Sequence, residues 1–529
     1  MKLLKLYAVP IVLLILGSAM ALKMFPLYSG GGIYNSDPSY AYLFNGLLLL
    51  DGHSPHHKDH PGTPLQILIA ALVYLQWVYY KLTGVVDPDV VVAAMAQPER
   101  YLLVISRVLL VLNVAATFLI GKRVFDATRS FYLGILCQCS LLTYGLFGTK
   151  LLYPAPEALV AFFSLCLLAV FIPLLFDRVD DSKPQTKTAI LAGVIFGIGF
   201  ATKLTFLPMA GLFLLFKRPR DIAIALFATL VAWLMAVAPI LKKLLGLWEW
   251  VYNMATHTGK YGSGSKGLVD TSQLMGNLKA LNQAFPFFYL VIALFACYLI
   301  HAGFKRFQSS AKIPHKTSNC DRAILVFLLI CCAQTLLVLK HFGQHYMLPV
   351  LPMAFVGTTI LLNRLNDHHP VWVTRSKWLV GLVVAYVVAQ SNYSAFATLK
   401  AERVANNRSV NQITAEIAKY PNALTLSSYG CYLRQCGLMF GIEYAPAIDK
   451  KIKPFLPNFY GFNIWNSMLL IDGHGFYPLT VLQPFLAENR PILLVTQNDF
   501  PAFDVFEKEL VLTAADQKLY KVTGFTRSP

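Results

Sequence analysis

Charge is what this chain is short of. Only 14% of its 529 residues are Asp, Glu, Lys or Arg, where a soluble globular chain carries about a quarter. Acid is scarcer than base, 27 residues against 45, leaving a formal charge of +18. Cysteine spacing of the zinc-finger kind is missing: the nine Cys are scattered, most of them inside apolar runs, where they act as small packing residues. Internal repeats and low-complexity tracts are missing too. An ordinary soluble domain is therefore excluded. What is present instead is hydrophobicity, 56% of the residues with a mean hydropathy of +0.55, gathered into runs of about 15 to 22 residues, the mark of a polytopic helical membrane protein. In such a chain excess Lys and Arg belongs to cytoplasmic loops, so the positive charge calls for no nucleic-acid partner.

Twelve apolar runs lie near 6–26, 62–80, 101–121, 131–147, 157–176, 188–202, 204–216, 222–242, 285–303, 323–339, 346–363 and 378–392. The first follows Met1-Lys2-Leu3-Leu4-Lys5 and continues past Ala21 without a small-x-small cleavage site, so it reads as an uncleaved span. The connections 122–130, 177–187, 217–221, 304–322 and 364–377 hold seventeen Lys and Arg, while 148–156 and 340–345 hold one Lys each. Placing every basic connection in the cytoplasm requires one early run not to cross. The segment 62–80 is the one chosen, because Tyr74, Trp77, Tyr79 and Tyr80 favour the membrane interface.

The expected fold is thus all-α and polytopic, with about eleven transmembrane helices and juxtamembrane helices on the outer face. The N-terminus is expected in the cytoplasm. Residues 1–395 form the membrane domain and 27–99 its first outer loop. Residues 396–529 have soluble composition and form a small α/β domain on the outer side. Strands are expected at 424–426, 492–496 and 510–513 and helices near 408–419 and 480–488. Cys431 and Cys436 suit a disulfide on that oxidising side.

Within the first loop Asp37 precedes Pro38, a pairing suited to a helix N-cap and first position. Tyr40, Leu43, Phe44 and Leu47 then form an apolar stripe of a short surface helix ending at Asp51-Gly52. The outer face collects Asp37, Asp59 and His60 from this loop, Lys150 and Glu157 from the next, Lys203 at the turn of a short apolar hairpin, Lys260 and Lys266 in the Gly/Ser-rich segment 243–284, and Lys340, His341, His345 and Tyr346. Transfer from a phosphate-linked donor needs a general base at the acceptor and cations at the departing phosphate, and these residue types supply both. Each has a plainer role as well: Asp37 suits helix capping equally, and Lys150 suits anchoring at head groups. His53, His56, His57 and His60 with Asp51 and Asp59 match no metal-site spacing. No cofactor or metal is assigned, and a divalent cation stays open.

Four motifs carry a family resemblance: Ser36-Asp37-Pro38-Ser39-Tyr40 after the first span; Asp59-His60-Pro61-Gly62-Thr63-Pro64-Leu65; Gly199-Phe200-Ala201-Thr202-Lys203; and His345-Tyr346-Met347-Leu348-Pro349 with Pro352. In order and spacing over roughly residues 1–395, the chain resembles the integral-membrane glycosyltransferases of the GT-C fold, in the branch of protein O-mannosyltransferases and bacterial aminoarabinose or lipopolysaccharide-sugar transferases. The second motif departs from the family's His-Pro-Pro-Leu pattern by an inserted Gly-Thr, and Glu157 falls where some members carry a second acid.

The resemblance implies an inverting glycosyltransferase of the bacterial inner membrane, with a polyprenyl-phosphate-linked sugar as donor and a lipid, glycan or protein as acceptor on the periplasmic face. By it Asp37, with His60, is catalytic, and Lys203, Lys340, His345, Tyr346, Asp59 and Glu157 attend the donor. The alternative is a transporter or flippase of polyprenyl-linked glycans, which calls for buried mid-span charges and a pseudo-repeat.

Overall fold

With no water in a bilayer core, every apolar run must satisfy its backbone polar groups within itself, and helices are how this chain does so. The computed structural model describes residues 6–24, 36–57, 62–84, 87–142, 150–151, 153–176, 184–258, 266–267, 271–308, 319–340, 342–368, 370–428, 431–464, 466–471, 475–497 and 499–526. Among these, eight helices are long and apolar enough to cross a membrane: Thr63–Leu82, Pro98–Thr128, Pro156–Leu175, Pro219–Ala236, Pro286–Lys305, Asn319–Lys340, Gln344–Leu365 and Leu379–Ile417. The remaining apolar segments are the shorter helices Ala8–Met24, Phe131–Leu141, Thr186–Thr202 and Leu204–Leu215. Each of the twelve apolar runs is therefore helical, and the chain is a multi-pass membrane protein.

Small residues set the closest helix crossing. Gly193 and Gly197, one turn apart on Thr186–Thr202, face the Ala225 and Thr229 carbonyls of Pro219–Ala236, so closely that a Cβ at Gly197 would come within 2.6 Å of the Thr229 oxygen. The Thr229 hydroxyl donates to the Gly193 carbonyl at 3.2 Å across the same seam. The Pro156–Leu175 helix is tied on two sides. Asn113 Nδ2 donates to the Ala158 carbonyl at 3.0 Å, and Ser164 Oγ donates to the Pro349 carbonyl.

The outer domain is built on one seven-stranded sheet: β1 (Leu424–Ser427), β2 (Phe459–Asn463), β3 (Met468–Leu470), β4 (Phe476–Tyr477), β5 (Ile492–Thr496), β6 (Phe506–Ala514) and β7 (Gln517–Phe525), in the order β4-β3-β2-β1-β5-β7-β6. β1 runs parallel to β2 and β5, with Thr425 opposite Phe459 and Leu493, and the other pairings are antiparallel. Alternation along β5 divides the core. Ile492 and Leu494 join Leu424, Leu426, Phe503 and Phe506 in the domain's own cluster, while Leu493 and Val495 face the other way. On that other face they belong to the same apolar core as the membrane helices. Cys431 and Cys436 form a disulfide.

Two expectations are corrected here. The segment after Asp37 is not a helix lying on the membrane with one face free. Ser36–Tyr40 is a π-helical turn running into the helix Ala41–Leu50, whose residues 41 to 48 are all buried. The cause is cover from two sides: the helix Arg434–Glu443 of the outer domain packs on the stripe itself, where Gly437 meets Tyr40 and Gly441 meets Phe44, and Thr63–Leu82 closes on Gly46 through Ile69. Asp37 consequently lies inside a helical turn and does not stand before one as a cap. The outer segment 243–284, read as a loop, contains the helices Leu244–Thr256 and Thr271–Ala284.

Candidate active site

Lys203 stands at a break. The helix Thr186–Thr202 ends at it with φ −160° and ψ 131°, and the 3-10 helix Leu204–Leu215 starts directly after. The extended residue turns its side chain out of both helices and into the bundle, where it is 5% exposed. A lone ammonium is not tolerated at such depth. Its counter-charge is Glu157, 7% exposed in the first turn of Pro156–Leu175, whose Oε1 lies 2.5 Å from Lys203 Nζ. The helix N-terminus favours the carboxylate there as well.

His345 and Tyr346 complete the group. His345, in the 3-10 turn Gln344–Met347, places Nε2 3.5 Å from Glu157 Oε1, and the charges of Lys203 and Lys150 both reach its ring. Lys203 Nζ lies 4.6 Å from the centre of the Tyr346 ring, a cation–π contact. Gln334 fixes this turn by donating to the Tyr346 carbonyl at 2.6 Å.

The sequence thus brought forward four residues that the fold gathers into one cluster, Glu157, Lys203, His345 and Tyr346. Lys150 joins its electrostatic surroundings, a part that an anchoring role does not anticipate. Lys340 is engaged elsewhere: its ammonium donates to the Ala255 carbonyl on Leu244–Thr256. Lys266 sits in an isolated β-bridge with His257. For Asp37 the backbone is described and the side chain is not. Asp59, His60, Lys260 and His341 lie outside the described residues. The first loop still reaches the cluster, since Gly62 donates its N–H to the Ala201 carbonyl at 3.0 Å, two residues before Lys203.

Between Thr186–Thr202 and Pro219–Ala236 runs an apolar groove of about 940 Å3, lined by Ile190, Val194 and Ile198 on one wall and Phe227, Val231 and Met235 on the other; none of the four cluster residues lines it. Pro64 and Ile67 close one end and Arg220 the other. Among the described residues no three His, Cys, Asp or Glu side chains converge as a metal site. The loop histidines serve structure: His53 pairs with Asp51, and the backbone amides of His56 and His57 donate to Asn45 Oδ1.

Residues that sequence reasoning passed over lie one layer out. Glu99, 3% exposed, accepts from Tyr40 Oη at 3.2 Å and from Arg434 Nε at 2.8 Å. Lys451 reaches Asp51 at 2.6 Å and Asp89 at 2.7 Å. Burial opposes charge on Asp89, but the Lys451 ammonium and the Val92 and Val91 amides outweigh it and hold the carboxyl below its usual range. The two carboxylates raise Lys451 in turn, against its burial. One signal was readable for Arg434, its position inside the Cys431–Cys436 loop.

The bundle of membrane helices, the turn and helix of residues 36–50 packed against it and the C-terminal sheet domain together have the GT-C fold. Among solved structures, ArnT from Cupriavidus metallidurans bound to undecaprenyl phosphate shares it, at 13% identity over 96% of this chain and 97% of that one, with a TM-score of 0.50. The apo state of the same protein matches with the same values. At this identity the likeness is one of fold. No protein-family model matches the sequence, and no curated protein does.

Proposed function

We propose that this protein is an inverting glycosyltransferase that moves a monosaccharide from a polyprenyl-phosphate donor to a lipid, glycan or protein acceptor at the periplasmic face of a bacterial inner membrane. The observation that carries this reading is the buried Lys203–Glu157–His345–Tyr346 cluster, an ammonium held on a carboxylate that a phosphate can share. Ile198 lines the groove and Lys203 follows five residues on, about 7.5 Å along a helix axis. An anionic head beside Lys203 with an apolar chain along the groove is the chemistry of a lipid phosphate. That ArnT was crystallised with undecaprenyl phosphate supports it.

The chemistry follows. The donor phosphate approaches Lys203 and His345, and Glu157 shares its hold on the ammonium with the phosphate oxygens. The acceptor hydroxyl attacks the sugar's anomeric carbon opposite the phosphate. Its proton passes to the Asp37 carboxylate, the new carbon–oxygen bond forms as the carbon–phosphate-oxygen bond breaks, and polyprenyl phosphate departs. Charge growing on that leaving group is met by Lys203 and His345. The Tyr346 ring holds the ammonium in place between turnovers. Asp59 and His60 of the first loop attend the head group.

The test is transfer by the full-length protein in lipid nanodiscs, given radiolabelled undecaprenyl-phosphate sugars and an envelope extract as acceptor. Asp37→Asn is expected to lower turnover by about 10²- to 10⁴-fold, the range for a general base, with folding intact. Wild-type turnover by that variant sinks the base assignment. Donor crossing vesicle membranes without any transfer favours the transporter.

A further inference from the structure

The outer domain holds the Asp37 segment at both ends. At one end Glu99 Oε1 takes both the Tyr40 hydroxyl, at 3.2 Å, and Arg434 Nε, at 2.8 Å. Three separate parts of the chain meet on that one oxygen: the π-helical turn Ser36–Tyr40, the start of the membrane helix Pro98–Thr128, and the outer domain's helix Arg434–Glu443. At the other end Asp51, the residue that ends Ala41–Leu50, is bound by Lys451 from the outer domain, which also binds Asp89.

Between the two ties the surfaces are fitted. Gly437 and Gly441, four apart on one helix, receive the rings of Tyr40 and Phe44, four apart on the other. A Cβ at Gly437 would come within 2.6 Å of Tyr40 Cζ, so the helix can lie this close only without a side chain there. Tyr40 and Phe44 are fully buried. Arg434 in turn sits inside the five-residue span closed by the Cys431–Cys436 disulfide, both of whose cysteines are buried. The loop that presents the guanidinium is therefore covalently closed.

A π turn is a single widened turn and is often found where function needs a particular backbone direction. The ties described for it come from outside the turn, from Glu99 on the Tyr40 hydroxyl and from Gly437 under the Tyr40 ring.

We infer that the outer domain is a working part of the active site, with Tyr40, Glu99 and Arg434 as positioning residues that fix the π turn carrying Asp37. The inference rests on the reading of Asp37 as the base. It gives the outer domain a role in turnover that needs no contact with acceptor. The groups act through Asp37, so their loss lowers the rate of the chemical step and leaves donor affinity alone.

The experiment uses the full chain in nanodiscs with the same labelled donor, comparing Asp37→Asn, Tyr40→Phe, Arg434→Ala, Arg434→Lys and the Cys431→Ser/Cys436→Ser pair. Tyr40→Phe keeps the ring on Gly437 and removes only the hydroxyl. Its kcat is expected to fall about five- to tenfold, the effect of one ordinary hydrogen bond, with donor KM within twofold and Tm nearly unchanged. Arg434→Ala is expected to lose more, Arg434→Lys to recover part of that loss, and the disulfide-free pair to resemble Arg434→Ala.

If Tyr40→Phe and Arg434→Ala both keep kcat within twofold while Asp37→Asn is inactive, the positioning role is overturned and the base reading stands. If kcat, KM and Tm fall together in every variant, the contacts serve folding alone and the inference is likewise overturned. If Asp37→Asn turns over normally, the base reading itself fails first and takes the inference with it.

Discussion

Glu99 and Glu157 are built alike. Each follows a proline, Pro98 or Pro156, at the first position of a long membrane helix, each is nearly inaccessible, and each meets a cation from a distant part of the chain. Their neighbours separate them. At Glu99 the cation is Arg434, whose rigid guanidinium suits a fixed geometry, and the Tyr40 hydroxyl shares the same oxygen, so the carboxylate joins pieces of backbone. At Glu157 the cation is Lys203, a point charge on a flexible stem. It stands over the face of Tyr346, with His345 alongside. That carboxylate holds a charge that an incoming anion can claim. The same Pro-Glu helix start yields a strut in one place and, in the function proposed above, a binding site in the other, and what decides is whether a partner can be shared.

This contrast can be broken experimentally. The largest expected effect is Lys203→Met, which should cut transfer by about 10²- to 10³-fold, the loss seen when one donor to a developing charge is removed. Direct binding of the labelled donor should be lost with it. Should Arg434→Ala cost as much in binding, strut and site would not be distinct.

Stability comes next. Lys203→Met strands the Glu157 carboxylate in the bundle, a penalty of about 3–5 kcal/mol, and adding Glu157→Gln should restore most of it. Transfer should stay lost in that double variant. At the strut, Arg434→Met should lose stability likewise, and the pair Glu99→Gln with Arg434→Met should regain it and keep donor binding, with kcat still lowered. Thermal unfolding and radiolabel transfer on the same four proteins decide the matter.

The smallest effect concerns pH. Asp89 is held below its ordinary value of 3.8, so its share of stability is complete above that pH and disappears as pH falls through the lowered folded value. Lys451 is raised above 10.5, so its share is complete below that pH and is lost as pH rises through the folded value. Attachment of the outer domain to the first loop should thus be level from about pH 5 to 9 and weaken only at the extremes. Both side chains are about a third exposed, which limits the pair to roughly 1 kcal/mol. Limited proteolysis across that range checks it, and a marked weakening near pH 7 would contradict the pairing.

What the sequence disclosed and what it hid follow from the range of the interactions. Apolar runs are local, so all twelve were readable as helices. Lys203 was conspicuous because an ammonium at the turn of a short apolar hairpin has few structural reasons to be there, and His345-Tyr346 stood out by motif. The partnership of Glu157 with Lys203, 46 residues away, leaves no periodic trace. Neither does Arg434 on Glu99.

The helix Ala41–Leu50 shows the same limit from the other side. Its stripe of Tyr40, Leu43, Phe44 and Leu47 pointed to one buried face. Arg434–Glu443 takes up that stripe at Tyr40 and Phe44, and the second cover comes from Thr63–Leu82, whose Ile69 meets Gly46. In the outer domain β1, β5 and β6 were legible from their branched and apolar residues, while the short β3 and β4 and the glycine-bearing β2 and β7 were not.

The helix Pro370–Ile417 carries the chain from the membrane into the outer domain without interruption, through the boundary expected near 396. Its 48 residues amount to about 72 Å at 1.5 Å each, more than twice a bilayer's apolar thickness of about 30 Å. A helix this long transmits rotation. Inserting or deleting one residue in its outer half turns everything beyond by about 100°, enough to swing Arg434 and Lys451 away from their carboxylates. Adding seven residues, close to two full turns, restores the angle but lifts the domain by about 10 Å. The length of this shaft is thereby as tightly prescribed as any residue in the site, although it touches no substrate.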